Sequence, residues 1–178
     1  MKKQFLVVIA LLLFATAIQA QMLPQTITAD SLMAAMKCPD ANCANAFASN
    51  NHFYLKIKTN VGGLQHVYEG NETYTADDGK CSLPDGLSII MEKKAVTEIT
   101  YKTVVKSTYT DIVNYFVKYG FRTILTETEE DPETKKDVVF TTMESNEVTA
   151  YRIVTGTETK VVDGKNCTMY TITIGFTY

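Results

Sequence analysis

The stretch Thr168-Met169-Tyr170-Thr171-Ile172-Thr173-Ile174-Gly175-Phe176-Thr177-Tyr178 decides the fold class. Tyr170, Ile172, Ile174, Phe176 and Tyr178 fall on every second residue, and a period of two places them on one face of a β-strand. The same period recurs upstream. Phe53, Leu55 and Ile57 alternate with His52, Tyr54, Lys56 and Lys58, which predicts a strand whose buried face is Phe53-Leu55-Ile57. Val61-Gly62-Gly63 then supplies a turn into a strand over 64–69. Two further strands are expected over 86–91 and 95–106, the latter rich in Val, Ile, Thr and Tyr. Residues 70–86, with Gly70, Gly79, Pro84 and Gly86, read as loop with one short strand near Thr73. Strands over 121–128, 137–144 and 147–155 precede the last one, and the acidic run over 129–137 reads as a solvated loop.

Three segments break this period. Asp30 is placed as the N-cap of a short helix carrying Leu32, Met33, Ala35 and Met36 on one face. Cys38-Pro39 ends it, because the residue before a proline is pushed out of the α region. A second helix starts at Asp40 and turns Ala41, Ala44, Phe47 and Ala48 inward. The third follows Thr108-Tyr109-Thr110-Asp111, a capping box with Asp in place of Glu. Its apolar face is Ile112, Phe116 and Tyr119, and Gly120 can take the left-handed turn that closes it.

Consecutive strands without intervening helices pair antiparallel. The fold class is therefore α+β: an antiparallel sheet with two or three short helices on one face. It reads either as two similar helix-plus-strands halves, 29–106 and 107–178, or as one undivided domain. This order of elements is similar to that of small secreted inhibitor proteins made of tandem helix-plus-sheet repeats, and to small envelope-assembly domains. That resemblance is architectural and implies no particular site residue.

Residues 1–20 read as an export signal. Lys2-Lys3 precede an apolar run from Phe5 to Ala15, and Thr16-Ala17-Ile18-Gln19-Ala20 offers a cleavage site of bacterial style, with Ile18 and Ala20 at the two positions a signal peptidase inspects. The run is short for crossing a bilayer, and the first cysteine after it is Cys38, so a lipid anchor is not expected. The exported domain is then 21–178, periplasmic or secreted. It keeps fifteen basic residues against twenty acidic ones, a net charge of −5. Such a balance disfavours nucleic acid, which calls for clustered Lys and Arg.

An even number of cysteines in an exported chain reads as disulfides. Four allow three connectivities, and the expected pairs are Cys38–Cys43 across a helical corner and Cys81–Cys167 tying the halves together. The alternative, a metal held by Cys38, Cys43, His52 and His66, has none of the usual zinc spacings. No cofactor or metal is expected. His52 and His66 lie in strand-like sequence without a nucleophile motif, and Glu127, Glu129, Glu130, Asp131 and Glu133 read as solvent-facing. Asp77-Asp78-Gly79 and Asp163-Gly164 lack the acidic spacing of a calcium loop and read as turns.

Ten tyrosines without a tryptophan are the suggestive feature. Tyr54 and Tyr101 are expected on the sheet face away from the helices, as a docking surface. The leading functional expectation is non-catalytic binding of a protein or cell-envelope partner. The alternative is a secreted hydrolase with an unrecognised carboxylate site, marked by convergent acids of raised pKa.

Overall fold

A computed structural model describes residues 27–60, 63–130 and 135–177. The expectation for residues 1–20 lies outside them. Helix α1 (Ala29–Ala35) is capped by Thr28, whose hydroxyl accepts from the Ser31 N–H while Ser31 Oγ accepts from the Thr28 N–H. This reciprocal pair, and not Asp30, starts the helix; Asp30 sits in its first turn, where a carboxylate favours the helix dipole. Helix α2 (Ala41–Asn50) starts as expected, with Asp40 Oδ1 accepting from the Cys43 N–H at 2.9 Å. It turns Ala44 and Ala48 fully inward and leaves Ala41 and Phe47 half-buried.

Four strands follow: β1 (Phe53–Asn60), β2 (Leu64–Thr75), β3 (Ser82–Glu92) and β4 (Ala95–Thr103). Helix α3 (Lys106–Lys118) then leads into β5 (Arg122–Glu130), β6 (Asp137–Glu144), β7 (Tyr151–Val162) and β8 (Lys165–Phe176). All eight strands form one antiparallel sheet in the order β1-β2-β3-β4-β8-β7-β6-β5. Each group of four is a meander, and the last strands of the two meanders pair at the centre. Gly120 adopts φ +81° beyond α3, as its position implied.

Rows of paired residues can be followed across the sheet from edge to edge. One row reads Lys58, His66, Ile89, Ile99, Ile174, Ile153, Met143, Thr123. The neighbouring row on the same face reads Leu55, Tyr68, Leu87, Tyr101, Ile172, Thr155, Thr141, Thr126. The central members of these rows are buried in one cluster with Leu32, Ala35, Ala44, Ala48, Ile112 and Phe116 of the helices. Burial of this apolar surface is the main term holding helices to sheet.

Several expectations change. Leu55 shares the face of Phe53 but not its burial, and Ile57 does not share the face: a β-bulge between Leu55 and Ile57 moves Ile57 to the other side, and both side chains are about half exposed on an edge strand. Residues 70–86 are less loop than expected, because β2 continues to Thr75 and β3 begins at Ser82 around a bulge between Glu69 and Thr73. Glu127, Glu129 and Glu130 belong to β5; Asp131 and Glu133 lie outside the described residues. The strand expected from 147 begins at Tyr151 and runs on to Val162.

Helix α3 begins at Lys106, a turn earlier than the Thr108–Asp111 box suggested. Its N-cap Val105 offers no side-chain acceptor, and Asp77 of the β2–β3 loop does the work from outside, accepting from the Ser107 N–H at 2.9 Å. The disulfides are Cys38–Cys43 and Cys81–Cys167, with Cα–Cα separations of 5.4 and 5.7 Å. The first clamps the end of α1 to the first turn of α2. The second joins the start of β3 to the start of β8. Two disulfides are the chemistry of an oxidising compartment. Among the described residues no helix is long and apolar enough to cross a membrane.

Candidate functional site

The sheet face opposite the buried rows is built from the alternate residues. Its middle row is Ile57, Val67, Ser88, Thr100, Thr173, Val154, Thr142, Leu125, one residue from each of the eight strands. No member carries a charge, and none is buried. Hydroxyls occupy the centre, where Thr100 and Thr173 bond to each other at 3.0 Å, and aliphatic side chains occupy both ends.

Charged residues flank this row in matched pairs. On one side Tyr54 donates to Glu69 at 2.5 Å, Lys56 also bonds Glu69, and Lys102 lies 3.4 Å from Glu158. Lys56 and then Tyr54 hold the Glu69 carboxyl below its ordinary range. On the other side Arg152 Nε donates to Glu144 at 3.0 Å. The face is thus polar and nearly neutral, with small side chains at its middle: Gly86 and Thr171 on one flank, Gly175 on the other.

Tyr54 is 46% exposed and stands on this face. Tyr101 does not. It is fully buried among the core residues, because it shares the parity of Ile99 and Thr103 while Glu98, Thr100 and Lys102 point the other way. The expected docking surface therefore keeps Tyr54 and loses Tyr101. The tyrosine hydroxyl, which must be bonded when buried, donates to Asp85 Oδ2.

Asp85 is the most unusual ionisable group of the described residues. It is 5% exposed, burial raises its pKa, and the Tyr101 and Thr103 hydroxyls only partly oppose that rise. Its Oδ1 has no partner among the described residues. Glu98 is also raised by burial. These two acids do not converge: Asp85 shares the buried side of β3 with Leu87 and Ile89, whereas Glu98 pairs with Ile90 and Gly175 on the opposite side.

His66 is equally enclosed, at 1% exposure beneath α2. Tyr68 donates to Asn45 Oδ1 at 2.6 Å, and His66 Nδ1 lies 3.0 Å from both of these oxygens. Nε2, on the other side of the ring, has no partner among the described residues. Burial, and then Lys58, lowers the His66 pKa, while burial pushes Tyr68 up to about 12. Among the described residues no serine, threonine or cysteine is hydrogen-bonded to the imidazole. His52 is exposed, with φ +63° at the turn into β1, and its carbonyl accepts from the Asn71 N–H at 2.8 Å. Cys38 and Cys43, the other members of the metal set weighed from the sequence, are oxidised to a disulfide.

Two clefts are roomier than the surface elsewhere around the helices. One of about 560 Å³ lies between the α2 N-terminus and the β3–β4 turn, lined by Asp40, Leu64, Met91, Lys93 and Lys94. Its one carboxylate from α2, Asp40, is spent as the helix cap. The other, about 340 Å³, lies between α1 and α3 and is aromatic and apolar, with Met33, Tyr115, Phe116, Tyr119 and Phe121. Asp30 at its rim accepts from the Tyr115 hydroxyl at 2.5 Å. Neither cleft gathers a base beside a nucleophile. The sequence matches no family model, and no curated protein or solved structure is detectably similar to it.

Proposed function

We propose that the exported chain is a non-catalytic binding protein that docks a protein or cell-envelope partner on the sheet face carrying Ile57, Val67, Ser88, Thr100, Thr173, Val154, Thr142 and Leu125. The uncharged row across eight strands is the observation that carries this reading. Its small side chains cost little conformational entropy on burial, and its hydroxyls can re-pair with a partner. In this reading all three helices cover the other face, so the row is the broad surface left open. The helix-plus-meander order, repeated on either side of the β4–β8 seam, is read as two similar halves. Export to the periplasm or the medium accounts for the disulfides.

The alternative, a secreted hydrolase, needs two carboxylates around one bound group. Asp85 and Glu98, the acids held above their ordinary range, stand on opposite sides of the sheet and give it no support. The test is Thr100→Arg together with Thr173→Arg, two bulky charges at the centre of the row. Partner captured from envelope extract by the wild-type chain should be lost by the variant, with its thermal melt unchanged. Undiminished capture by a folded variant would reject this face. Saturable turnover of a glycan, peptide or ester, abolished by one carboxylate substitution, would reject the binding reading.

A further inference from the structure

We infer that the two edges of the sheet pair with each other between copies of this chain, β5 of one molecule beside β1 of the next, so that molecules add head to tail along one sheet. Three observations converge on it. Among the described residues no strand pairs with either edge: every residue of β5 is exposed, and in β1 only Phe53 is buried. An open edge presents unpaired backbone N–H and C=O groups, a template for another strand.

The sense of the strands fits. Eight strands alternate in direction, so the two edges of one molecule run opposite ways. A copy moved along the sheet without inversion therefore brings β5 antiparallel to β1, with buried rows and open rows continuing in step. The uncharged open row ends in Leu125 on β5 and Ile57 on β1, 47% and 49% exposed. Continuing that row sets these two aliphatic side chains against each other. The adjacent row ends in Glu127 and Tyr54, and brings Glu127 beside Lys56.

Charge selects this pairing over its competitors. β1 carries Lys56 and Lys58 and no acid; β5 carries Arg122 against Glu127, Glu129 and Glu130. Pairing β1 with β1 brings the lysines of two copies together, a destabilising arrangement across strands; pairing β5 with β5 joins two strands that each carry three glutamates against one arginine, although Arg122 would then face the glutamates of the copy. The mixed pairing sets the basic strand beside the acidic one and places Lys56 beside Glu127. Bulges between Leu55 and Ile57 and between Thr123 and Leu125 shorten the regular pairing, which makes the association weak and concentration-dependent. A heterologous contact of this kind does not close on itself, so growth is open-ended.

Sedimentation of the exported chain from about 10 µM to about 1 mM reads the association directly. The weight-average sedimentation coefficient should rise with concentration. Lys56→Glu with Lys58→Glu, and separately Glu127→Lys with Glu129→Lys, should each lower the association constant by about tenfold or more, since like charges then meet. An equimolar mixture of the two variants should recover it, each supplying the edge the other lacks. All four positions are on exposed edge strands, and circular dichroism verifies that the variants fold. A carbodiimide applied to mixed unlabelled and nitrogen-15-labelled chains should join Lys56 to Glu127 or Glu129 across labels. A constant sedimentation coefficient, association indifferent to both reversals, failure of the mixture to recover it, or cross-links confined within one chain would each overturn the inference.

Discussion

Tyr101→Phe removes a single oxygen from the middle of the protein, and its consequences can be worked through. That hydroxyl donates to Asp85, a carboxylate only 5% exposed whose second oxygen already lacks a partner among the described residues. A hydrogen bond to a buried charged group is worth about 1.5–3 kcal/mol, and the phenyl ring left behind fills the same space. At roughly 2–4 °C per kcal/mol for a domain of this size, the melting temperature should fall by about 3–12 °C at neutral pH.

The pH dependence carries the sharper test. Tyr101 favours the ionised form of Asp85, so its loss lifts the folded-state pKa further above the usual 3.8. The full deficit is present above that folded pKa. As pH falls through it toward 3.8, the buried carboxyl takes up a proton and the charge-dependent part of the deficit disappears. Urea titrations at pH 7 and pH 4.5 measure both. A variant as stable as wild type, or a deficit that grows on acidification, would refute the placement of Tyr101 against a buried carboxylate. Tyr101→Ala should cost about 3–5 kcal/mol, whereas Tyr54→Ala, at a half-exposed site, should stay within about 0.5 kcal/mol.

Three other outcomes are expected. Cys81→Ala with Cys167→Ala opens a crosslink between residues 86 apart, and chain entropy gives about 4.6 kcal/mol; Cys38→Ala with Cys43→Ala, only 5 apart, gives about 2 kcal/mol, so urea midpoints should rank the two pairs in that order. His66 binds a proton less readily folded than unfolded, so stability should decline as pH falls below the usual 6.5, and His66→Phe, scanned by thermal melts from pH 7.5 to 5, should lack that component. Asp77→Ala should destabilise by about 1 kcal/mol in urea, and Asp77→Asn should keep most of the wild-type stability, because an oxygen acceptor for the Ser107 N–H is what α3 needs.

The fold was legible where local periodicity and a single buried face coincide. Tyr170, Ile172 and Ile174 read correctly because their strand is central and paired on both sides. Ala44 and Ala48 read correctly because Asp40 caps its own helix. Edge and bulged strands read less well. The alternation of Phe53, Leu55 and Ile57 is real in the sequence, yet one extra residue in the ladder reverses the face of everything after it. The cap of α3 was not legible, since Asp77 lies 30 residues from Ser107 and nothing local announces the contact.

Tyr101 shows why the candidate surface was only half legible. Its parity with Ile99 and Thr103, against Glu98, Thr100 and Lys102, was already a signal for burial. Its acceptor was harder to see, because Asp85 lies in a stretch whose glycines and proline read as loop. Once β3 is seen to begin at Ser82, the acceptor stands on the adjacent strand and the tyrosine belongs inside. The open row could not be assembled from the sequence for a related reason. Its eight members are drawn from eight strands, and shifts between Leu55 and Ile57, Ile90 and Met91, and Thr123 and Leu125 set which residues align. A surface made by register is a property of pairing, and pairing is decided by the whole sheet at once. That is also why the row ends matter. The same register that lines up the row delivers Leu125 and Ile57 to opposite edges at the same height, the two ends that the proposed edge pairing would bring together.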